Sequence, residues 1–308
     1  MNRPFPSIFG HFASNYYAGD CEGTVSPFVR APGVALSHVE KVYVFGNVLC
    51  HLLVAIHGFF LYLRSFFFWG FIVPNTIFWG CLSFCSMPFR PDGQWSHLCM
   101  KYWSKWILWV CGIKVRVEGL EHISPDTVQI FASNHQSFFD IWVLSATIPV
   151  KFGWLGKKEV ARVPILKMHM KKNGYIVIDR SNREQAILSI DKAAETIRGG
   201  NRIAIFPEGT RSSCGKIGEF KKGLFHLCKK TEVPIVPIFL SGSGRALRSG
   251  SMIIRPGLIQ VKIGRPFSTA MYEKENIVEM MRDFRTVMVD LGRGKGDGKG
   301  DVPCLLPF

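Results

Sequence analysis

The sequence predicts an α/β domain with a mixed, mostly parallel sheet flanked by helices, preceded by a helical segment that docks into a membrane. Three observations carry this. From about residue 113 short β-branched runs alternate with helical stretches, the pattern of strands joined by crossover helices. Turn residues punctuate the alternation. Ahead of it lies a long apolar run, residues 42–89, in which Arg64 is the one charged side chain. The 308 residues divide on this reading into a loosely ordered leader (1–40), an embedded or interfacial helical segment (41–112), the α/β domain (113–292) and a flexible tail (293–308).

The leader carries polar and turn residues throughout ("SNYYAGDCEGTVSP") and no continuous apolar run of the signal-peptide kind. The tail, "GRGKGDGKGDVPCLLPF", is too rich in Gly, Lys and Asp to build a core, and Cys304, fifth from its end, does not fit a prenylation box. The chain has nine cysteines, with neither a C-x-x-C pair nor zinc-finger spacing. They read as free thiols, and the soluble part as cytosolic.

In the apolar segment, "VYVFGNVLCHLLVAIHGFFLYL" precedes Arg64 and "SFFFWGFIVPNTIFWGCLSFCSMPF" follows it. A crossing takes about 20 largely apolar residues, and each half is that long. Two membrane readings stand side by side. Two helices form a hairpin with Arg64 near the far side, or the segment is shallow or re-entrant and Arg64 snorkels to a headgroup. "YLRSF" offers no turn chemistry for a hairpin, while His51, His57, Pro74 and Asn75 suit a shallow path. A buried helical hairpin of a soluble protein is the third alternative. Basic flanks at Lys41, Arg90, Lys101 and Lys105 place both ends, and the α/β domain, on the cytosolic side. Trp95, Trp103, Trp106 and Trp109 alternate with Lys101 and Lys105, a mixture suited to a headgroup layer.

The α/β elements follow in order. "KVRVEGL" and "TVQIFASN" read as strands, and "SFFDIWVLSATI" as a helix. "VKFGWLG" is a strand, "KEVARVPILKMHMKKN" a helical stretch broken by Pro164, and "YIVID" a strand. "NREQAILSIDKAAETIRGG" is an amphipathic helix with Ile187, Ile190, Ala194 and Ile197 on one face. "RIAIFPEGT" runs from strand to loop, "KKGLFHLCKKT" is a short helix, and "VPIVPIFL" a buried strand. "SMIIRPG" and "LIQVKIGRPF" pair as a hairpin across Pro256 and Gly257, and "EKENIVEMMRDFRTVMVDLG" closes as a helix.

Two stretches carry chemistry. In "SNHQSFFDIW", His135 follows a strand and precedes a helix, the edge where open α/β sheets place their sites. With His135 in the turn and Asp140 in the first turn of the helix, the carboxylate can reach back, fix the imidazole tautomer and support an imidazolium. On spacing alone a structural histidine near a helix start is the commoner reading. No G-x-S-x-G elbow occurs, so a catalytic histidine here acts on the substrate's own hydroxyl. In "IFPEGTRSS", Gly209 permits a turn with positive φ that brings N–H groups toward an anion, Arg211 offers a fork for phosphate, and Glu208 can hold a hydroxyl or position Arg211. An ordinary polar turn is the alternative.

Taken together, "NHQSFFD" and "FPEGTRS", with "GYIVIDR" between and "VPIVPI" after, resemble the glycerolipid acyltransferase family, and among its classes the 1-acyl-glycerol-3-phosphate acyltransferases. The resemblance covers roughly residues 115–266. It implies that His135 is a general base with Asp140 as its partner, that Asn134 and Ser137 shape the turn, and that Lys157 faces acceptor or thioester. It further implies that Glu208, Gly209, Thr210 and Arg211 bind the glycerol phosphate, that Arg180 supports the site with Gly174 and Asp179, and that Pro234 and Pro237 pack beneath it. Val160 and Val163 stand where bulkier residues are expected, which bears on acyl-chain fit. The implied reaction moves a fatty acyl group from a thioester, acyl-coenzyme A or an acyl-carrier protein, to the hydroxyl of lysophosphatidic acid, with no bound cofactor and no metal. Backbone amides near Ser137, or Lys157, are the candidate oxyanion donors.

The formal net charge of +15 fits anionic partners. Between residues 151 and 183 nine basic residues face only Glu159 and Asp179, a surface for anionic headgroups and an acidic donor, or a solvated face. No groove-reading motif accompanies the charge, so membrane lipid and a lysophospholipid are the expected partners and nucleic acid is not. Another lysolipid or glycerol 3-phosphate as acceptor, or a catalytically silent membrane-binding protein, are the rival readings.

Overall fold

A computed structural model describes residues 38–86, 88–89, 92–157, 174–178, 183–212, 216–270, 272 and 276–294. The expected leader up to residue 37, the stretch around Pro164 with Val160 and Val163, Asp179, Arg180 and the tail from 295 lie outside them. The chain divides into two units at Gly58, and the second, Phe59–Val302, holds the sheet, its covering helices and both motifs.

The apolar segment is one helix, α1 (His38–Ser86), with Pro74 inside it and no reversal at Arg64. The absence of turn chemistry in "YLRSF" has its outcome here: the helix continues through it. Phe45–Ser86 is long and apolar enough to cross a membrane, and its most apolar stretch is not buried in the protein. This uncovered apolar helix associates the chain with a membrane. One narrow stripe is covered. Ser65, Phe68, Ile72, Asn75 and Ser83 are buried at helical spacing, while Phe66 and Phe67 between them are 74% and 64% exposed.

The stripe packs on α2 (Gln94–Val110). Asn75 Nδ2 donates to the Trp103 carbonyl at 3.3 Å, Trp103 Nε1 to Thr76 Oγ1 at 3.0 Å, and Ser83 Oγ to Ser96 Oγ at 3.0 Å. Asn75 is thus consumed by the interhelical contact. Arg64 turns back onto the protein. Its guanidinium donates to the Cys111 carbonyl at 3.3 Å, at the C-terminal end of α2, and lies over Phe68. On α2, Trp95, Trp106 and Trp109 are exposed, as a headgroup layer requires, whereas Trp103 turns inward with its ring edge-on to Trp142.

Seven strands form the sheet: β1 (Ile113–Glu118), β2 (Ile130–Ser133), β3 (Gly153–Lys157), β4 (Ile176–Ile178), β5 (Ile203–Ile205), β6 (Ile235–Ser241) and β7 (Gly257–Ile263). Their order is β1-β7-β6-β2-β5-β3-β4, parallel throughout except for the β6–β7 pair. The expected hairpin before β7 does not form. Pro256 has no N–H to give a ladder, and residues 252–254 spend their backbone on α1. Trp69 Nε1 donates to the Met252 carbonyl at 2.8 Å, and the Ile254 N–H donates to Ser65 Oγ at 3.0 Å. β7 pairs with β1 and β6 instead.

Helices cover both faces. The remaining ones are α3 (Phe139–Thr147), α4 (Arg183–Arg198), α5 (Lys222–Thr231), the short α6 (Ser243–Ala246) and α7 (Ile277–Arg293). Strand residues alternate between two cores with period two. Phe131, Ala204, Val236, Ile238 and Leu240 join the core that includes α2 and α3. Ile130, Ala132, Ile203, Ile205 and Phe239 join the one under α4, α5 and α7. On α4, Ala194 and Ile197 are buried and Ile190 packs beside them, but Ile187 is exposed. The buried face runs instead through Ser189 and Ala193.

Candidate active site

β2, β5 and β3 are adjacent and parallel, so their carboxyl ends open onto one edge. The two motifs leave from there, the first after β2 and the second after β5. Asn134 extends the ladder where β2 stops. Its Nδ2 donates to the Leu240 carbonyl at 2.9 Å and its Oδ1 accepts the Leu240 N–H at 2.7 Å, mimicking a strand residue. Ser137 fastens the turn from the other side. Its hydroxyl donates to the Leu247 carbonyl at 2.8 Å and accepts the Phe139 N–H at 3.3 Å.

Asp140 lies in the first turn of α3 and is completely buried. Its Oδ2 accepts from His135 Nδ1 at 2.9 Å and from the N–H groups of Gln136 and Ser137 at 2.6 and 2.8 Å. The two amides aim the carboxylate at the imidazole. With Nδ1 donating to a carboxylate, the free lone pair of a neutral imidazole is on Nε2. The His135 side chain is 14% exposed, enough to meet a substrate from one side. The Ser137 amide, a candidate oxyanion donor from sequence, is spent on Asp140.

Glu208 is 3% exposed and tied on both oxygens. Oε1 accepts the His135 N–H at 2.9 Å and Oε2 the Gly218 N–H at 2.8 Å. A Cβ on Gly218 would stand 2.8 Å from Oε2, so glycine permits the approach. Burial pushes the Glu208 carboxyl up, and the two amides work against it. Sequence reading set Glu208 beside a hydroxyl or Arg211; the geometry makes it a clamp between the motifs. A second link, Ser212 N–H to the His135 carbonyl at 2.8 Å, runs alongside.

Gly209 takes φ 72°, the left-handed turn the motif needs, and its N–H returns to the Phe206 carbonyl at 3.0 Å. Thr210 is exposed at the tip. The Arg211 guanidinium lies over the Phe138 ring at 4.2 Å, beside the turn that carries His135, and makes no ion pair among the described residues. The main chain of Lys157 ends β3, in register with Ile178 of β4. Pro237 sits within β6, in register with Ala132 of β2, and its carbonyl accepts the Gly264 N–H at 2.8 Å. Among the described residues no group of His, Cys, Asp and Glu is arranged to hold a metal.

Sequence reading missed Phe206. Its ring is stacked on His135 at 3.9 Å, 8° from parallel, and Trp154 is stacked behind it at 5.4 Å. An aromatic at a strand end reads as core, and no local signal separates the two roles.

A family model described as Acyltransferase matches residues 114–241, from β1 through β6, and takes in both motifs. Fold and site thus define an acyltransferase domain. The chain is 32% identical over 225 residues to a 1-acyl-sn-glycerol-3-phosphate acyltransferase of Cocos nucifera, covering 71% of each chain. It is 30% identical over 232 residues to one of Limnanthes douglasii, covering 73% of this chain and 80% of the relative. The crystal structure of the 1-acyl-sn-glycerophosphate (LPA) acyltransferase PlsC from Thermotoga maritima matches with a TM-score of 0.66 over 77% of this chain and 97% of that one. At 24% identity that likeness speaks for the fold alone. The chain belongs to the family of 1-acyl-sn-glycerol-3-phosphate acyltransferases.

Proposed function

We propose that the chain acylates lysophosphatidic acid to phosphatidic acid, a step of phospholipid biosynthesis, at a membrane surface with the α/β domain on the cytosolic side. One observation carries the reading: His135 and Asp140 are 2.9 Å apart at the edge that Arg211 shares, in a chain with an exposed apolar helix. The names of its relatives supply the acceptor.

His135 Nε2 takes the proton as the acceptor's O–H breaks, and that oxygen attacks the thioester carbonyl. The tetrahedral intermediate collapses, the C–S bond breaks, and the proton returns from Nε2 to the leaving sulfur. Asp140 supports the imidazolium in between. Arg211 takes the acceptor phosphate, with Gly209 and Thr210 shaping the turn around it. Glu208 holds both loops in register. By the family resemblance Lys157 serves acceptor or thioester and Arg180 is a supporting residue. The donor is acyl-coenzyme A or an acyl-carrier protein, and the basic stretch between residues 151 and 183 suits either.

The test is phosphatidic acid formation from lysophosphatidic acid with both donors, beside glycerol 3-phosphate and a lysolipid lacking the exposed phosphate. Selective acylation of lysophosphatidic acid, abolished by His135→Ala with vesicle binding retained, is the expected result. Equal use of a phosphate-free lysolipid overturns the acceptor; full activity of His135→Ala overturns the base.

A further inference from the structure

Asp140 anchors the His135 ring at one atom. A ring held at Nδ1 alone can still rock about that contact, and rocking swings Nε2, the atom at the far side of the ring. The second constraint is an aromatic face. Phe206 lies 3.9 Å from the imidazole and within 8° of parallel, closer and flatter than the other aromatic pairs around the site. Trp154 backs Phe206 at 5.4 Å and 25°, and Phe152 abuts Trp154 edge-on at 5.5 Å.

The stack follows from strand order. His135 stands two residues past β2, Phe206 is the first residue past β5, and Trp154 lies in β3 in register with Ala204 of β5. The three strands are neighbours in the sheet, so ladder pairing sets the spacing of the three rings. Phe206 precedes the Pro207–Glu208 turn, and Glu208 grips the His135 amide at 2.9 Å. One loop therefore fixes the main chain of His135 with its carboxylate and the ring with its phenyl group.

We propose that Phe206, braced by Trp154, is a positioning residue for acyl transfer. It fixes the plane of the His135 imidazole so that Nε2 meets the acceptor hydroxyl, and it offers the imidazolium an aromatic face once the proton has moved. This rests on the reading of His135 as the base. In this scheme Phe206 meets no substrate and acts only through the His135 ring, so its removal acts on turnover and spares acceptor binding.

The experiment uses the full-length chain in vesicles and compares Phe206→Leu, which keeps bulk but has no flat face, with Phe206→Tyr, which keeps the face. In Phe206→Leu kcat falls by about tenfold to a hundredfold, while KM for lysophosphatidic acid stays within about twofold. Phe206→Tyr stays within about threefold of the parent on both. The His135 ring-proton resonances, shifted upfield by the phenyl ring current in the parent, move downfield in Phe206→Leu and stay in Phe206→Tyr. Parental kcat in Phe206→Leu overturns the proposal, as does an equal kcat loss in both variants, which marks a packing role. A parent chain inactive toward every acceptor overturns the proposed function and this inference with it, whereas the other two results leave the proposed function standing.

Discussion

Glu208 and His135 are joined through the main chain: the buried carboxylate accepts the histidine's amide hydrogen at 2.9 Å while its other oxygen accepts that of Gly218 at 2.8 Å. This contact sews the loop after β5 to the loop after β2. It explains how two motifs some seventy residues apart in sequence come to share one site.

Glu208→Gln separates the clamp from any direct role. An amide keeps one acceptor and turns an N–H₂ toward a backbone N–H, so one donor is left unsatisfied. Unfolding in denaturant shows a loss of about 1–3 kcal/mol, and activity falls with the loosened His135 loop. A variant as stable as the parent removes the clamp.

Asp140→Asn strikes the imidazole tautomer and the turn together. His135 Nδ1 and the Gln136 and Ser137 amides all meet one oxygen, Oδ2, so an asparagine oxygen there keeps the amides without the charge that supports an imidazolium, and an N–H₂ there puts the imidazole proton on Nε2. The base then has no lone pair where the hydroxyl sits. Turnover drops by about 10³–10⁴-fold, whereas vesicle binding is kept. Activity within tenfold of the parent, about 1.4 kcal/mol, is incompatible with that tautomer.

Arg211 is held over Phe138 by its guanidinium face, which leaves its N–H groups for an anion. Arg211→Lys keeps the charge and loses the planar fork, so KM for lysophosphatidic acid rises by about tenfold with kcat little changed, and Arg211→Ala raises it further. An unchanged KM in both removes Arg211 from phosphate binding.

How much of this was legible depends on how local each contact is. His135 and Asp140 are five residues apart across one strand–helix turn, and the sequence alone brings the carboxylate back to the ring. Most strands of the α/β domain were as plain, being short runs with β-branched residues between turns, whereas "SMIIRPG" has the same look and forms no strand. The Glu208 clamp and the Phe206 stack join elements distant in sequence, and no periodicity encodes them. In the apolar segment hydropathy marked a long apolar run but left its path open, because hairpin and continuous helix share a composition. What separates them is a stripe of Ser65, Asn75 and Ser83, polar residues that bury against neighbours the sequence does not name.

That stripe makes α1 testable by face. Phe66 and Phe67 are largely exposed, so Phe66→Glu with Phe67→Glu puts two charges where lipid belongs and leaves the packed side alone. Flotation with vesicles falls sharply while unfolding in detergent is unchanged within about 0.5 kcal/mol. Ile72→Glu, on the covered side, buries a charge in the core and lowers stability first. Flotation equal to the parent in the double variant shows that this face of α1 is not the membrane contact.

His97 gives the fold an acid limb. It is 8% exposed, both ring nitrogens lack a hydrogen-bond partner, and its ring is edge-on to Phe152 at 5.5 Å. Burial, then the charges of Lys101 and Lys151, hold its pKa down to about 4. An ordinary imidazole titrates at about 6.5, so between those values the unfolded chain binds a proton that the folded chain refuses. Folded stability is therefore complete above about pH 6.5 and declines as pH falls toward 4, by at most about 3 kcal/mol from this group. His97→Phe loses no hydrogen bond and removes the proton site, so it is nearly neutral at pH 7 and flattens the decline. Denaturant midpoints at intervals from pH 7 to pH 4 measure it; the same slope in parent and variant assigns the acid sensitivity to other groups.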